Sequence, residues 1–380
     1  MKRILLIILM LLVFPHVTVW AQEQETTGQD MILEQYRASG MDEVYQIESE
    51  AFPEFDSFKI VEDLSQGKSF QVSGILEQVF GFFFGEFQGS LRICLLILVV
   101  GFLIGVLVNM QNSFGGRGVS DAGFITAYAV FAGLLVAGFA QVITPAKETI
   151  ETLSVMIRAT IPALITMLTM GGAVMSSGMM ASGLLTMVQV IASLIEKLIF
   201  PLILGTVALS VASHMSDRIN ISTTIKTIKQ VIKWLLVFTM ALFTGIFGVY
   251  GLAGSALDSS IGKAARFAVG SGIPVVGGIV ADSIETVIGT VGAVRNITGV
   301  TGAVTIIAVA AAPLIKTAVV MWLFRLCCAV LEPISDKRLV NLTADIADSI
   351  CLIFAVLISV CLLFVGCIGI ILITGNFVTR

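Results

Sequence analysis

The residues best suited to chemistry in this sequence lie in one glycine- and proline-rich segment, residues 258–302. Pro274 and the glycines around it predict a broken helix, which membrane proteins tolerate only where protein or a water-filled cavity covers it. Such breaks mark binding sites in many transporters. One face of the helix predicted after the break carries two carboxylates and two glycines: Asp282, Glu285, Gly289 and Gly292. We therefore expect a polar contact beside a close helix contact.

This segment has two interpretations. Its carboxylates could line a solute path, or the segment could be a helical hairpin packed by small residues, in which Arg266 or Arg295 pairs with the acidic side chains. The pattern favours the hairpin. The residues that we single out for packing or for a solute path are Arg266, Gly270, Pro274, Gly277, Gly278, Asp282, Glu285, Gly289, Asn296 and Gly299.

Other chemistries are not favoured by the sequence. The glycines do not match a phosphate-binding loop, because no Gly-Lys-Ser/Thr follows, and they do not form a nucleophile elbow. His16 and His214 are the two histidines, too few for a multi-histidine metal site. Glu196 and Lys197 lie in an apolar tract, but adjacent side chains diverge on a helix, which disfavours a proton relay. We predict no catalytic residue, no metal site, no cofactor and no enzymatic activity.

The composition defines the elements that must hold these residues. The chain has 380 residues, of which 57% are hydrophobic and 13% charged. Soluble globular proteins are about 45–50% apolar and about 25% charged, so an ordinary cytosolic enzyme is excluded. The apolar content also excludes disorder for most of the chain. Residues 22–89 carry 14 acidic and 3 basic residues, whereas residues 90–380 carry 12 acidic and 17 basic residues.

An acidic region precedes the apolar part. Residues 1–21 are predicted to be a signal peptide, with a basic start, an apolar core and small residues at the cleavage position. An uncleaved anchor is the alternative. Residues 22–90 are predicted to be an extracytoplasmic helical region. Its end could contact another helix or lie on the membrane. The residues predicted to allow close helix packing recur every four positions: Gly81, Gly85 and Gly89.

Residues 91–380 are predicted to form an all-α polytopic membrane domain with about six to eight membrane segments, some of them broken or re-entrant. A spanning helix needs about 20 mostly apolar residues. The stretches that qualify are 91–108, 124–143, 235–253, 300–324 and 350–373. The long apolar tract 160–211 has room for two or three crossings or a re-entrant pair, because glycines and the Glu196-Lys197 pair interrupt it.

Basic residues predict the orientation in the membrane. With residue 22 outside, the positive-inside rule places the basic stretch 217–233 and the loop 325–338 in the cytoplasm and the C-terminus outside. This topology requires an odd number of crossings in 160–211. It also requires no net crossing in 258–299.

Two connecting segments are predicted to be helical. Residues 221–233 place isoleucines on one face and Lys226, Lys229 and Lys233 to one side of it. This segment could lie in the lipid headgroups or extend the next spanning helix. Thr144-Pro145 predicts the start of a separate helix, since proline is common in a first turn.

The segment 258–302 resembles a known family. The residues that carry the resemblance are Ala265-Arg266-Phe267-Ala268-Val269-Gly270-Ser271, Ile273-Pro274-Val275-Val276-Gly277-Gly278, Glu285-Thr286-Val287 and Asn296. They resemble the signature of the stage III sporulation protein AE family of endospore-forming bacteria. The layout of leader, acidic segment and many spanning helices is similar along most of the chain.

The resemblance implies a non-enzymatic, polytopic subunit of a sporulation-specific, secretion-like channel complex, which links mother cell and forespore and is required for forespore development. It implies a location in the mother-cell membrane around the forespore, with the N-terminal region in the intermembrane space. The implied partners are other membrane proteins of the complex, a separate ATPase and a forespore membrane protein, besides the lipid bilayer and without nucleic acid. The alternative is a self-sufficient transporter with a site around Pro274, Asp282 and Glu285. An intramembrane protease is disfavoured.

Overall fold

The computed structural model describes the backbone of residues 72–114, 117–215, 221–246 and 277–378, and side chains there except at 72–80, 82, 109, 111–122, 277–288 and 376–378. These residues form helices and no strand. The helices are α1 (Val72–Phe114), α2 (Arg117–Met170), α3 (Val174–Leu194), α4 (Phe200–Met215), α5 (Ser222–Ile246), α6 (Gly277–Leu331) and α7 (Lys337–Val378), with a π-helical turn at Ile195–Ile199 joining α3 to α4.

The predicted all-α polytopic class is confirmed. Six helical stretches among the described residues are long and apolar enough to cross a membrane: Phe83–Val108, Gly123–Met170, Val174–Met215, Ser222–Ile246, Gly289–Leu331 and Lys337–Gly375. The predicted signal peptide, most of the acidic region and the break at Pro274 lie outside the described residues, as do Arg266 and Gly270.

The prediction of a separate helix starting at Thr144-Pro145 is wrong, because α2 continues through both Pro145 and Pro162. A buried apolar stripe crosses the first proline without interruption, from Val142 through Ala146 to Ile150. Packing of this stripe against the core outweighs the hydrogen bond that proline removes from the helix.

The apolar tract 160–211 contains one reversal of the chain. Helix α2 ends before Gly171-Gly172, and Gly172 adopts a φ of 90°, a left-handed conformation that glycine reaches without steric cost. The Glu196-Lys197 pair does not end a helix but lies in the π-helical turn. The stretch Val174–Met215 therefore continues as one potential span.

Residues 221–233 extend the next spanning helix, as one of the two interpretations predicted, because α5 is continuous over Ser222–Ile246. The placement of Lys229 differs from the prediction. It lies on the buried stripe of α5 with Ile225 and Ile232, whereas Lys226 and Lys233 are exposed. This burial is explained by the acidic partners described below.

Helices α6 and α7 pack along each other in the centre, with α2 against both, α1 against α6, and α4 against α7. Several contacts bring the start of α2, the end of α4, the start of α5 and the α6–α7 loop to one end, which we call the basic end. The guanidinium of Arg338 lies 4.8 Å from the ring centre of Phe124, and Ser335 Oγ donates to the Gly101 carbonyl at 3.2 Å. Helices α1, α4 and α6 run toward this end, whereas α2, α5 and α7 run away from it.

Candidate functional site

The described part of the segment 258–302 lies on the first half of α6. Gly277 and Gly278 begin the helix, and Asp282 and Glu285 follow within its first turns. The side-chain positions of Asp282 and Glu285 lie outside the described residues. Their predicted packing or solute-path role stays a prediction.

Close helix contact occurs later on α6. No described atom lies within 4 Å of a Cβ built on Gly289 or Gly292. A Cβ on Gly299 would lie 2.8 Å from Leu372 Cδ1 on α7, and one on Gly302 would lie 3.3 Å from Thr160 Cγ2 on α2. Absence of a side chain at Gly299 therefore allows α6 and α7 to approach closely.

We predict that Gly299→Ala lowers the stability of the protein, because its Cβ would displace Leu372 in a packed interface at a cost of about 1–3 kcal/mol. The matched control is Gly292→Ala on the same helix, where the Cβ meets open space. This control should be neutral or gain up to about 1 kcal/mol from helix propensity. Thermal unfolding midpoints in detergent test the pair, and equal midpoints for the two variants would contradict the proposed contact.

Arg295 is the largest fully buried side chain of the described residues, with 1% of its surface exposed. Its guanidinium contacts Gly375 near the end of α7, and its Nη1 lies 3.8 Å from the Cβ position of Gly171, just after α2. The C-terminal ends of two helices therefore meet at one cation, which the helix dipoles and the terminal carbonyls favour. Arg295 was predicted as a partner of carboxylates; the structure places it at these helix ends.

The buried face of α6 next to Arg295 is polar. Thr298 and Thr301 are buried, and neither hydroxyl has a hydrogen-bond partner among the described residues; the same holds for Asn296 Oδ1. Native proteins leave few buried polar atoms without a partner, so each such atom needs an explanation. Water or a polar solute at this face would provide one.

An ionic cluster near the basic end joins four helices. We define it by His214 on α4, Lys229 on α5, Arg325 on α6, and Asp345 and Asp348 on α7. Lys229 Nζ donates to Asp345 Oδ1 at 2.9 Å and to the Asp345 carbonyl at 3.0 Å. His214 Nε2 lies 2.9 Å from Asp345 Oδ2. Arg325 Nη2 donates to Asp348 Oδ1 at 3.1 Å, and Lys229 Nζ lies 3.7 Å from Asp348 Oδ2.

Hydroxyl groups continue this network into the bundle. Ser349 Oγ donates to the Asp345 carbonyl at 2.9 Å and lies 3.3 Å from Thr206 Oγ1 on α4. Tyr128 on α2 donates to the Val211 carbonyl at 2.6 Å. These bonds fix α2, α4 and α7 to one another where apolar contacts alone would allow sliding.

The chemistry of the ionic cluster is that of helix association. Each carboxylate faces a cation on another helix: Asp345 and Lys229 form a largely buried pair, whereas Asp348 and Arg325 form a half-exposed one. Among the described residues, no group of three or more His, Cys, Asp and Glu side chains could hold a metal ion. The six cysteines are free thiols, and those of Cys94 and Cys327 each lie 3.7 Å from a backbone carbonyl.

Sequence reasoning missed the ionic cluster, although two signals were present. Asp345 and Asp348 lie three residues apart on one helix face beside the most apolar span. Lys229 replaces an apolar residue in the stripe of Ile225 and Ile232. A lysine on an apolar face predicts an acidic partner on a neighbouring helix.

The glycines predicted to pack in the N-terminal region lie on α1. No described atom lies within 4 Å of a Cβ built on Gly81, Gly85 or Gly89. The described helices of this chain therefore do not supply the helix predicted to approach them. Packing at these glycines stays a prediction.

Comparisons with known proteins agree with each other. The sequence model of a family described as "Stage III sporulation protein AE (spore_III_AE)" matches residues 55–375. A protein of Bacillus subtilis (strain 168) named "Stage III sporulation protein AE" is 26% identical over 324 residues, which cover 85% of this chain and 81% of that protein. No solved structure matches the chain.

Proposed function

Since this chain belongs to the stage III sporulation protein AE family, we propose that it is a non-enzymatic membrane subunit of a sporulation-specific channel complex that links mother cell and forespore. The observation that carries the proposal is the family match over residues 55–375. The family match supports a sporulation role, and the six apolar helices support a multi-pass helical architecture. Membership of the channel complex is what we propose in addition.

The geometry of the ionic cluster supports a scaffolding role. Its five ionisable side chains contact one another across four helices. At the opposite end of the bundle, the Arg295 guanidinium joins the C-terminal ends of α2 and α7.

The proposed location is the mother-cell membrane around the forespore. Exposed Lys226 and Lys233 on α5, together with Lys337 on α7, support a cytoplasmic location of the basic end. The acidic region before residue 90 would then face the intermembrane space. There it would meet a forespore membrane partner, whereas an ATPase of the complex would act from the cytoplasm.

Gene deletion tests this proposal. We expect deletion of the gene in its host to abolish heat-resistant spores and late forespore gene expression, and expression of the wild-type protein to restore both. Co-purification of the complementing protein with the other membrane proteins of the complex tests the assembly itself. Normal sporulation after deletion would contradict the proposed function, and complementation without any co-purifying partner would contradict the channel complex.

The buried polar face of α6 favours a second candidate, a self-sufficient transporter. Thr298 and Thr301 present unpartnered hydroxyls inside the bundle, and the predicted break at Pro274 precedes them in the chain. Solute uptake by the purified protein alone in liposomes would support this candidate. Uptake that requires other members of the complex would exclude it.

A further inference from the structure

The outer surface of α2 and α3 carries charged side chains that form no ion pair. Lys147, Glu148 and Glu151 are exposed on one face of α2, and Glu196 and Lys197 are exposed in the π-helical turn that follows α3. None of the ion pairs within the described part of the chain includes any of these five side chains. We call this surface, from residue 144 to residue 198, the α2–α3 face.

Apolar side chains lie among these charges. Val155 on α2, Val190 on α3 and Leu198 in the π-helical turn are exposed, as are Met170 and Val174 where the two helices meet. Hydrocarbon excludes unpaired charges, and water disfavours a contiguous apolar patch, so the α2–α3 face suits neither environment well. A surface that mixes both kinds of side chain is typical of a contact between proteins.

Two contacts define the register of α2 against α3 and the π-helical turn. The Lys147 ammonium lies 5.6 Å from the ring centre of Phe200, and Arg158 Nη1 donates to Gln189 Oε1 at 3.0 Å. The same number of residues separates the two contacts on each side of this antiparallel pair. The register therefore stays constant between them.

This register places opposite charges at equal height. Lys197 lies level with the turn of α2 that carries Glu148 and Glu151. Glu196 lies about one helical turn from the level of Lys147, or about 6 Å along the axis, a distance that a lysine side chain can span. The face therefore has an anionic part on α2 and a cationic side chain on the neighbouring helix at the same level.

Equal height has a consequence for two copies of the chain. Copies inserted in one membrane share one orientation, so a two-fold axis between them must be parallel to the membrane normal. If they join through the α2–α3 face, this axis places α2 of each copy against α3 of the other. Residues of equal height then meet across the contact, and each pair of residues occurs twice.

The size of the α2–α3 face is that of a stable interface. From Val174 to Lys197 the helical stretch is about 35 Å long, and two packed helices are about 20 Å wide. The face therefore has an area of about 700 Å² on each copy. Specific protein interfaces bury about 800 Å² on each partner.

We propose that the α2–α3 face binds a second copy of this chain, forming a two-fold symmetric dimer. Lys197 of each copy pairs with Glu148 and Glu151 of the other, and Lys147 of each copy pairs with Glu196 of the other. The reciprocal arrangement of these charges favours a second copy over an unrelated protein. This pairing does not depend on which complex the protein serves.

Charge reversal tests the dimer in the full-length protein. Copies with two different tags are produced together in a host that has none of the sporulation proteins. One tag is captured in mild detergent, and the amount of the other tag that is captured with it is measured. We expect wild-type copies to capture each other. Lys226→Glu on α5 is the matched control, because Lys226 is exposed but lies outside the α2–α3 face.

The decisive comparison uses two variants, Lys197→Glu and the double variant Glu148→Lys, Glu151→Lys. Each variant should capture copies of itself at least about tenfold less than the wild type, since like charges then face each other across the contact. One variant should capture the other at the wild-type level, because opposite charges then meet in both halves of the interface. All three substituted sites are exposed, so we expect unfolding midpoints near that of the wild type.

Three results would overturn the proposal. Wild-type copies that do not capture each other would show that the α2–α3 face does not bind a second copy. Self-capture of Lys197→Glu equal to that of Lys226→Glu would show that any dimer forms elsewhere. Failure of the two variants to capture each other would contradict the reciprocal pairing of Lys197 with Glu148 and Glu151.

Discussion

The variant Asp345→Asn is expected to be destabilised by about 2–3 kcal/mol, because removing one partner of a buried ion pair leaves the other charge uncompensated. Lys229 is 7% exposed and donates two hydrogen bonds to Asp345. An amide accepts the side-chain bond but carries no charge, so both Lys229 and His214 lose their anionic partner. The midpoint of thermal unfolding in detergent, and the amount of protein in membranes, measure the effect.

Asp348→Asn is the matched control for this prediction. It lies one turn away, faces Arg325, and has a side chain that is 51% exposed, against 23% for Asp345. Exposed ion pairs contribute little, so we expect a loss of less than about 1 kcal/mol. Lys229→Met combined with Asp345→Leu should recover most of the stability lost in Asp345→Asn. Equal losses for Asp345→Asn and Asp348→Asn would show that the burial of Lys229 does not determine stability.

Gly105→Ala on α1 is the second substitution with a large expected effect. A Cβ there would lie 2.7 Å from the Ile334 carbonyl oxygen and 3.0 Å from Ser335 Cα, in the loop between α6 and α7. These are backbone atoms, so no side-chain rotation relieves the overlap. We expect a loss of about 2–3 kcal/mol, seen as a lower unfolding midpoint and as faster proteolysis of the α6–α7 loop.

Gly133→Ala on α2 provides the comparison. No described atom lies within 4 Å of a Cβ at this exposed position, which is also in an apolar helix. The alanine should therefore be tolerated or slightly stabilising through helix propensity. If Gly105→Ala unfolds at the same temperature as Gly133→Ala, the close approach of α1 to the loop does not hold in the protein.

Apolar length and helix breakers made much of the fold predictable. The stretch 350–373 is part of α7, and Gly171-Gly172 is the site where the chain reverses. Both predictions depend on local properties: continuous hydropathy in one and conformational freedom in the other. The orientation in the membrane, which local charge predicts, stays a prediction.

Properties that depend on neighbours were not predictable in the same way. Pro145 predicts a helix start locally, but the buried stripe on both sides of it belongs to one interface. Lys229 was placed with exposed lysines because its partner Asp345 is 116 residues away. At the candidate site, no local signal placed Arg295 at the ends of α2 and α7, since those ends meet only in the folded bundle.

The π-helical turn at Ile195–Ile199 has a consequence for helix phase. Leu184, Val188 and Ile191 are buried in α3, and continuing that spacing would bury Leu198 and Leu202. Instead, the buried residues that follow are shifted by one position: Ile199 ends the turn, and Ile203, Val207 and Ser210 are buried in α4. One additional residue rotates the following helix by about 100°. The chain can thus pack α3 on α2 and α4 on α7.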